Sequence, residues 1–250
     1  MNAAQLIEAL GLPPSVRLDQ RVPKKLLLEQ GAPTAADKRA IQDGLEELTW
    51  VAALKPANIG VAAYKDEVRE YLEIAVLTAV LRPTAKTTRL TELIHRAIPY
   101  PLVLITEQGG RPAISLAHKR RSQAQNEAVV LDGKLNICVL SAEALHEAEF
   151  VTSLALAGQA AHNLNTVYQG WLDCMTAFAA AQITDRFVRA GSVQQIADRD
   201  KALDEHTRLQ QERINLRAQA VREKQINRRA DLNMQIHKLD NQLANLLNKL

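Results

Sequence analysis

Residues 100–119, YPLVLITEQGGRPAISLAHK, decide how this chain folds. Two apolar runs flank Gly109-Gly110, a dipeptide suited to the positive φ angles of a tight hairpin turn. With that pair as the loop, Ile105 opposes Ile114 and Val103 opposes Leu116. All four side chains then share one face, and a slip of one residue would turn them outward, so the register supports itself. His118 falls on that apolar face. Lys119 falls on the other, beside Ala117, Ser115 and Ala113, whose small side chains leave room for something to approach the sheet. The hairpin runs on into ISLAHKRRSQAQNE (114–127), so an apolar strand ends in His118 and three consecutive cations.

Working outward, EYLEIAVLTAVLR (70–82) is apolar on both faces and reads as the central strand. LTWVAALKP (48–56) is a second strand, and EAVVLDGKLNICVL (127–140) supplies one or two more. TTRLTELIHRAIP (87–99) is an amphipathic helix stopped by Pro99. PTAADKRAIQDGLEEL (33–48) reads as a helix capped by Thr34, with Asp37 at the capping-box position. MNAAQLIEALGLPP contains a short helix over 2–10 ending at Gly11 and does not read as a signal peptide. Helices are expected over 143–162 and 164–190. The fold class is α+β: a body over 1–190 with a twisted, mostly antiparallel sheet flanked by helices.

The tail, 192–250, forms a separate arm. It holds no Gly or Pro after Gly191, and Ser192-Val193-Gln194-Gln195 matches a capping box. One continuous helix is predicted, roughly 90 Å long at about 1.5 Å per residue. Leu232, Ile236, Leu239, Leu243, Leu246 and Leu250 alternate steps of four and three, the d/a seam of a coiled coil. Continued backwards, that frame meets Arg229, Gln225, Arg222 and Ala218, so it turns polar. Ile214 and Val221 lie seven apart on a neighbouring stripe. The seam is expected to bind a second copy or another protein, since a long lone helix cannot bury its apolar face.

Composition limits the function. Of 250 residues, 47% are apolar and 4% aromatic, so the core must be Leu, Ile, Val and Ala. The formal charge of +3 is too small for a generally basic protein, so any nucleic-acid face must come from local clusters. Three exist: Lys119-Arg120-Arg121, Lys24-Lys25 and Arg228-Arg229. Each is a candidate for binding a phosphate backbone. Each also reads more plainly, respectively as a solvated strand exit, a snorkelling pair at a helix start and an ordinary coiled-coil surface. The two cysteines, Cys138 and Cys174, form no CxxC, which suits the cytoplasm. No apolar stretch is long enough for a membrane span. Histidines 95, 118, 146, 162, 206 and 237 show neither HExxH nor zinc spacing, and no phosphate-binding GxxxxGK[ST] or GxSxG occurs, so no metal or other cofactor is expected. A metal-dependent nuclease built on Lys119 would need a carboxylate two residues earlier, where Ala117 stands. Glu70 and Glu73, read as part of the central strand, supply acids only from a distance.

RVPKKLLLEQ, LTWVAALKP, AIPYPLVLI, ISLAHKR and the helical tail NRRADLNMQIHKLDNQLANLLNKL, in that order, resemble the bacterial family catalogued as domain of unknown function 4391. The resemblance covers nearly the whole chain. Pro99 or Pro101 and Lys119 look like the family's signature positions. The family has no assigned reaction, and its members resemble proteins encoded beside helicases and DNA methyltransferases in clusters like restriction or antiviral defence systems. What this implies is a non-catalytic accessory subunit, docking on a helicase or methyltransferase through its arm and contacting nucleic acid. The alternatives are a divergent nuclease using Glu70 or Glu73 with Lys119, and a purely structural coiled-coil adaptor.

Overall fold

The structure, a computed structural model, describes residues 1–122, 129–141 and 143–250. Two compact units are present, Met1–Met175 and Thr176–Leu250. In chain order the first unit begins with α1 (Ala3–Ala9), β1 (Arg17–Arg21), α2 (Lys24–Gln30), α3 (Ala35–Gly44) and β2 (Leu45–Leu54). There follow α4 (Pro56–Ile59), β3 (Tyr64–Lys65), β4 (Glu70–Tyr71), β5 (Ile74–Leu81) and α5 (Thr87–Ala97). Then come β6 (Leu102–Gln108), β7 (Arg111–Arg121), β8 (Val129–Val139) and α6 (Glu147–Ser153). Helix α7 (Leu164–Thr184) runs across the division, and α8 (Val193–Arg222) and α9 (Ile226–Leu246) belong to the second unit.

The main sheet has six strands in the order β1-β2-β5-β6-β7-β8. Among the described residues only the β5–β6 pair is parallel, because α5 carries the chain back across the sheet between them. The other pairs are antiparallel, so the sheet is mixed and mostly antiparallel. The hairpin register is the expected one: Ile105 pairs with Ile114 and Val103 with Leu116. Gly109 and Gly110 both take positive φ, 58° and 75°, which a residue with a Cβ adopts only with strain. Strand β5 is interior, flanked by β2 and β6, and Ile74 through Leu77 are fully buried.

Helices cover the face that carries Lys119. Leu90, Leu93, Ile94 and Ala97 of α5 pack with Leu27 of α2 and Ile41 of α3 against Leu77, Leu102 and Leu104. On the His118 face stands Tyr168 of α7. Its hydroxyl has one proton to share between the carbonyls of Leu102 and Ala117, at 2.8 and 2.9 Å, and accepts from the Ala117 amide at 3.0 Å. Those bonds serve β7 where its pairing with β8 shifts register, between Leu116 and His118.

Several boundaries differ from the sequence expectation. The helix predicted over 33–48 stops at Gly44, and Leu45–Leu48 open β2 instead. Leu45 is extended (φ −85°, ψ 126°), and pairing with β5 buries Leu45 and Leu48 while Glu46 and Glu47 stay exposed. Residues 70–82 do not form one strand: Glu70 and Tyr71 pair with β3 in a separate two-stranded sheet, and the central strand starts at Ile74. Of the strand expected over 127–140, Glu127 and Ala128 lie outside the described residues. The helix over 143–162 shrinks to α6 plus a single 3₁₀ turn, Leu156–Gly158. The helix over 164–190 ends at Thr184, where Asp185 takes φ 55°.

The second unit corrects the continuous arm. Ser192 caps α8 as predicted, accepting from the Gln195 amide, but the helix ends at Arg222 and α9 starts at Ile226. Between them Glu223 and Gln225 are extended, and the chain reverses. Leu209 of α8 packs with Leu239 and Leu243 of α9, and Arg213 bonds Asp240 at 2.9 Å, as two antiparallel helices require. The seam residues face inward: Leu239 and Leu243 are 6% exposed, Leu246 packs on the same cluster, and Leu232, Ile236 and Leu250 are half-buried. What Leu239, Leu243 and Leu246 meet is the chain's own α8, through Leu209 and Leu216.

Candidate functional site

The end of β7 builds the site. Lys119, paired with Leu131 on β8, is 4% exposed and points toward α5. Its Nζ donates to the Ile98 carbonyl, at the C-terminal end of that helix, where the macrodipole favours a cation. Burial pushes the Lys119 ammonium down to about 7. The room expected beside Ala113, Ser115 and Ala117 is filled by α5: His95 Nε2 lies 3.0 Å from Ser115 Oγ, and both residues are buried. Lys119 is therefore no freely exposed surface cation, as a solvated strand exit or an open phosphate-binding face would require.

It does line a cavity of about 640 Å³, together with Arg120, Arg121 and Ser122. Leu72, the segment Pro99–Tyr100–Pro101, Val129 and Glu70 complete the wall. Arg121 bonds Glu70 at 2.7 Å, and Lys65 reaches the same carboxylate at 2.9 Å, so Arg121 and then Lys65 hold the Glu70 carboxyl below its ordinary range. Arg120 is less committed. Its Nε stands 3.9 Å from Asp132, whose carboxylate Arg69 already grips at 2.8 and 2.5 Å. Among the described residues the wall thus carries Lys119, Arg120, Arg121 and one carboxylate, and Arg121 and Lys65 already pair with that carboxylate.

Tyr100 was not singled out from the sequence. It is 38% exposed on the cavity wall, between two prolines, with its ring edge-on to Trp50 (centroids 6.1 Å apart, interplanar angle 63°). The segment is pinned on both sides, by Lys119 on the Ile98 carbonyl and by the Ala75 amide on the Pro101 carbonyl at 2.9 Å. The two prolines were the available sequence signal. The hydrogen bonds that position them depend on strands distant in sequence.

The other sequence candidates lie elsewhere. Lys24 Nζ donates to the Leu45 carbonyl at the α3–β2 junction, and exposed Lys25 stands 3.7 Å from Glu29. Arg228 and Arg229 are exposed in the first turn of α9, where Arg228 lines a pocket with Arg222 and Asp231 at the hairpin turn. Glu73 pairs with Lys55 at 3.1 Å and does not line the cavity. Neither Glu70 nor Glu73 sits on the central strand, because both precede Ile74. Among the described residues no group of three or more His, Cys, Asp or Glu is placed to hold a metal, and no helix is long and apolar enough to cross a membrane.

His118 is structural. Its Nε2 lies 2.9 Å from the Gln169 carbonyl oxygen, so Nε2 carries the proton and Nδ1 accepts from the Tyr71 hydroxyl. Burial, with the Arg69 charge nearby, pushes its imidazole down to about 4.

Fold and site together define a mixed α+β protein with a cation-lined cavity at one strand end and a C-terminal helical hairpin. Over residues 10–243 the chain matches the family described as Domain of unknown function (DUF4391), and it belongs to that family. No curated protein and no solved structure matches it.

Proposed function

We propose that this protein is a non-catalytic accessory subunit of a bacterial DNA-targeting defence or restriction-like complex. In this reading the body holds a nucleic-acid backbone, and the C-terminal helices dock on a helicase or methyltransferase subunit. One observation carries the binding half: Lys119, Arg120 and Arg121 line a single cavity where Glu70, the one carboxylate among its described lining residues, is also paired with Lys65 from outside that lining. Arginine forks suit phosphate oxygens, and a local cluster of this kind is what a chain with a formal charge of only +3 needs. The docking half rests on the family resemblance. Co-purification with a helicase or methyltransferase encoded beside it is the expected outcome, and its absence from purified native complexes would remove that half.

Binding is tested by changing Arg120 and Arg121 to Ala while leaving buried Lys119 in place. The salt slope of DNA binding should fall by about two, similarly for all sequences, one unit for each lost phosphate contact. Parent-like binding by the double variant across several salt concentrations would refute the reading. A purely structural adaptor would show no salt-dependent binding at all. The nuclease alternative draws on the fact that Glu70 and Lys119 line one cavity. Against it stands the engagement of Glu70 by Arg121 and Lys65 and of Glu73 by Lys55. Magnesium- or manganese-dependent DNA cleavage by the purified protein, lost in Glu70→Gln, would favour it instead.

A further inference from the structure

The cavity lining holds two chemically distinct sets of side chains. Arg120 and Arg121 supply the charged set, and Pro99, Tyr100, Pro101 and Leu72 the flat or apolar one. A duplex backbone needs an open cationic surface and makes no use of an aromatic wall. An unpaired nucleotide needs both halves, a charged one for phosphate and a flat apolar one for the base. The volume, about 640 Å³, lies within the range of small-molecule sites and suits a unit of that size.

We propose that this cavity takes an unpaired nucleotide of a single-stranded nucleic acid, its base stacked on Tyr100 and its phosphate held by Arg120 and Arg121. The inference rests on the nucleic-acid reading above and narrows it from backbone to single strand. Tyr100 is suited to the task by its preorganisation. Prolines on both sides restrict its backbone, and the Ile98 and Pro101 carbonyls are tied to Lys119 and Ala75. Trp50 braces the ring edge-on, and the Trp50 indole is itself fixed by donating to the Ala52 carbonyl at 3.0 Å. A partly exposed aromatic held from three directions loses little freedom when a base settles on it. Lys119 then acts as a positioning residue, propping the platform through Ile98.

The test uses the full chain and three fluorescent probes: a short mixed-sequence single strand, the same sequence as a duplex, and a single strand with abasic residues at alternate positions. The abasic strand keeps the phosphates and removes stacking partners. The intact single strand should bind best, and the abasic one about tenfold more weakly. Tyr100→Ala should abolish the difference between intact and abasic strands, and Tyr100→Phe should retain it. Equal binding of intact and abasic strands by the parent protein overturns the inference without any variant having to fold. If that equality holds while Arg120→Ala/Arg121→Ala weakens every probe, the stacking inference falls and the backbone reading stands. If no probe binds, both fall.

Discussion

His118 and Lys119 are neighbours on β7, yet their side chains enter different layers, one toward α7 and one toward α5. Both are titratable groups kept from water, and each makes stability depend on pH in its own window. The His118 imidazole titrates near 4 instead of its ordinary 6.5, because burial disfavours the cation and Arg69 adds repulsion, with Asp132 opposing and Gln169 bonding the ring. Between those values the unfolded chain binds a proton that the native chain does not. The His118 contribution to stability is therefore fully present above about 6.5 and falls by about 3 kcal/mol as pH drops to 4. Buried His95, lowered by desolvation and then by Lys119, acts in the same direction. Urea denaturation across this range should show the loss, and His118→Gln should shrink it; a flat profile would contradict the buried-imidazole assignment. For Lys119 the ordinary value is 10.5 and the native one about 7, so stability should climb as pH rises above 7. The climb should end near 9, where the Cys138 thiol, pushed up to about 12 by burial, begins to oppose it. Lys119→Met should flatten the profile between pH 7 and 9. Strand alternation already separated Lys119 from His118. It could not reveal that α5 closes over the lysine, since that depends on where a helix ending 22 residues earlier in the chain is laid.

At the scale of elements, close packing between helices sets the tolerances. A Cβ added at Gly31, just after α2, would lie 2.7 Å from Ala97 Cβ and 2.8 Å from the Leu93 carbonyl oxygen on α5. With the Leu27 carbonyl oxygen of α2 at 3.2 Å as well, backbone atoms of both helices leave little room to yield, so Gly31→Ala should destabilise the fold by about 1–3 kcal/mol. An unchanged urea midpoint would show that α2 shifts freely. The helical hairpin calls for a second test. Leu239→Asp with Leu243→Asp places charges in a seam made with Leu209 of the same chain. The expected result is loss of helical circular dichroism from the second unit, with no change in molar mass by light scattering. Dissociation with helicity retained would instead mean that the seam joins separate molecules. Hydropathy patterns made the hairpin register, the capped start of α8 and the inward face of α9 legible, because each depends on local periodicity. The reversal at Glu223–Gln225 has no Gly or Pro to announce it, so the α9 frame was carried through residues where the phase resets. The frame that does bury α8 was there to be seen: Ala202, Leu209 and Leu216 are seven apart, while Ile214 and Val221, the more conspicuous pair, point to solvent at 55% and 86% exposure. The cavity was legible in its cations, in Pro99 and Pro101 and in Glu70 as single residues, but not as one site. Tyr100 and the Glu70–Arg121 pair arise from contacts between distant segments that no periodicity encodes.

For the whole molecule, the two units are built to different standards of burial. In the first, consecutive residues of β5 and β6 are fully buried with helices packed over them, so their amides cannot meet water without dismantling the sheet. In the second, the cluster between α8 and α9 buries few side chains. Leu209, Leu239 and Leu243 form its buried cluster, and partly buried charged side chains such as Arg213 share the same face. Arg213 and Arg217 both pair with Asp240, but partly exposed ion pairs add little and are screened by salt. Opening the hairpin therefore exposes a few leucines, whereas opening the sheet exposes most of a core. Hydrogen exchange on the full chain should reflect this difference. Amides in α8 and α9 should exchange through local opening, at rates that rise with added salt as the Asp240 pairs weaken. Amides in β5 and β6 should exchange last, and only with global unfolding. Equal protection of the two regions, unaffected by salt, would mean that the hairpin is stabilised by something beyond its own seam. A partner or a second copy lying along Ile214 and Val221 would protect it in that way, and dilution of the sample would then separate the two cases, because protection supplied by association weakens with concentration.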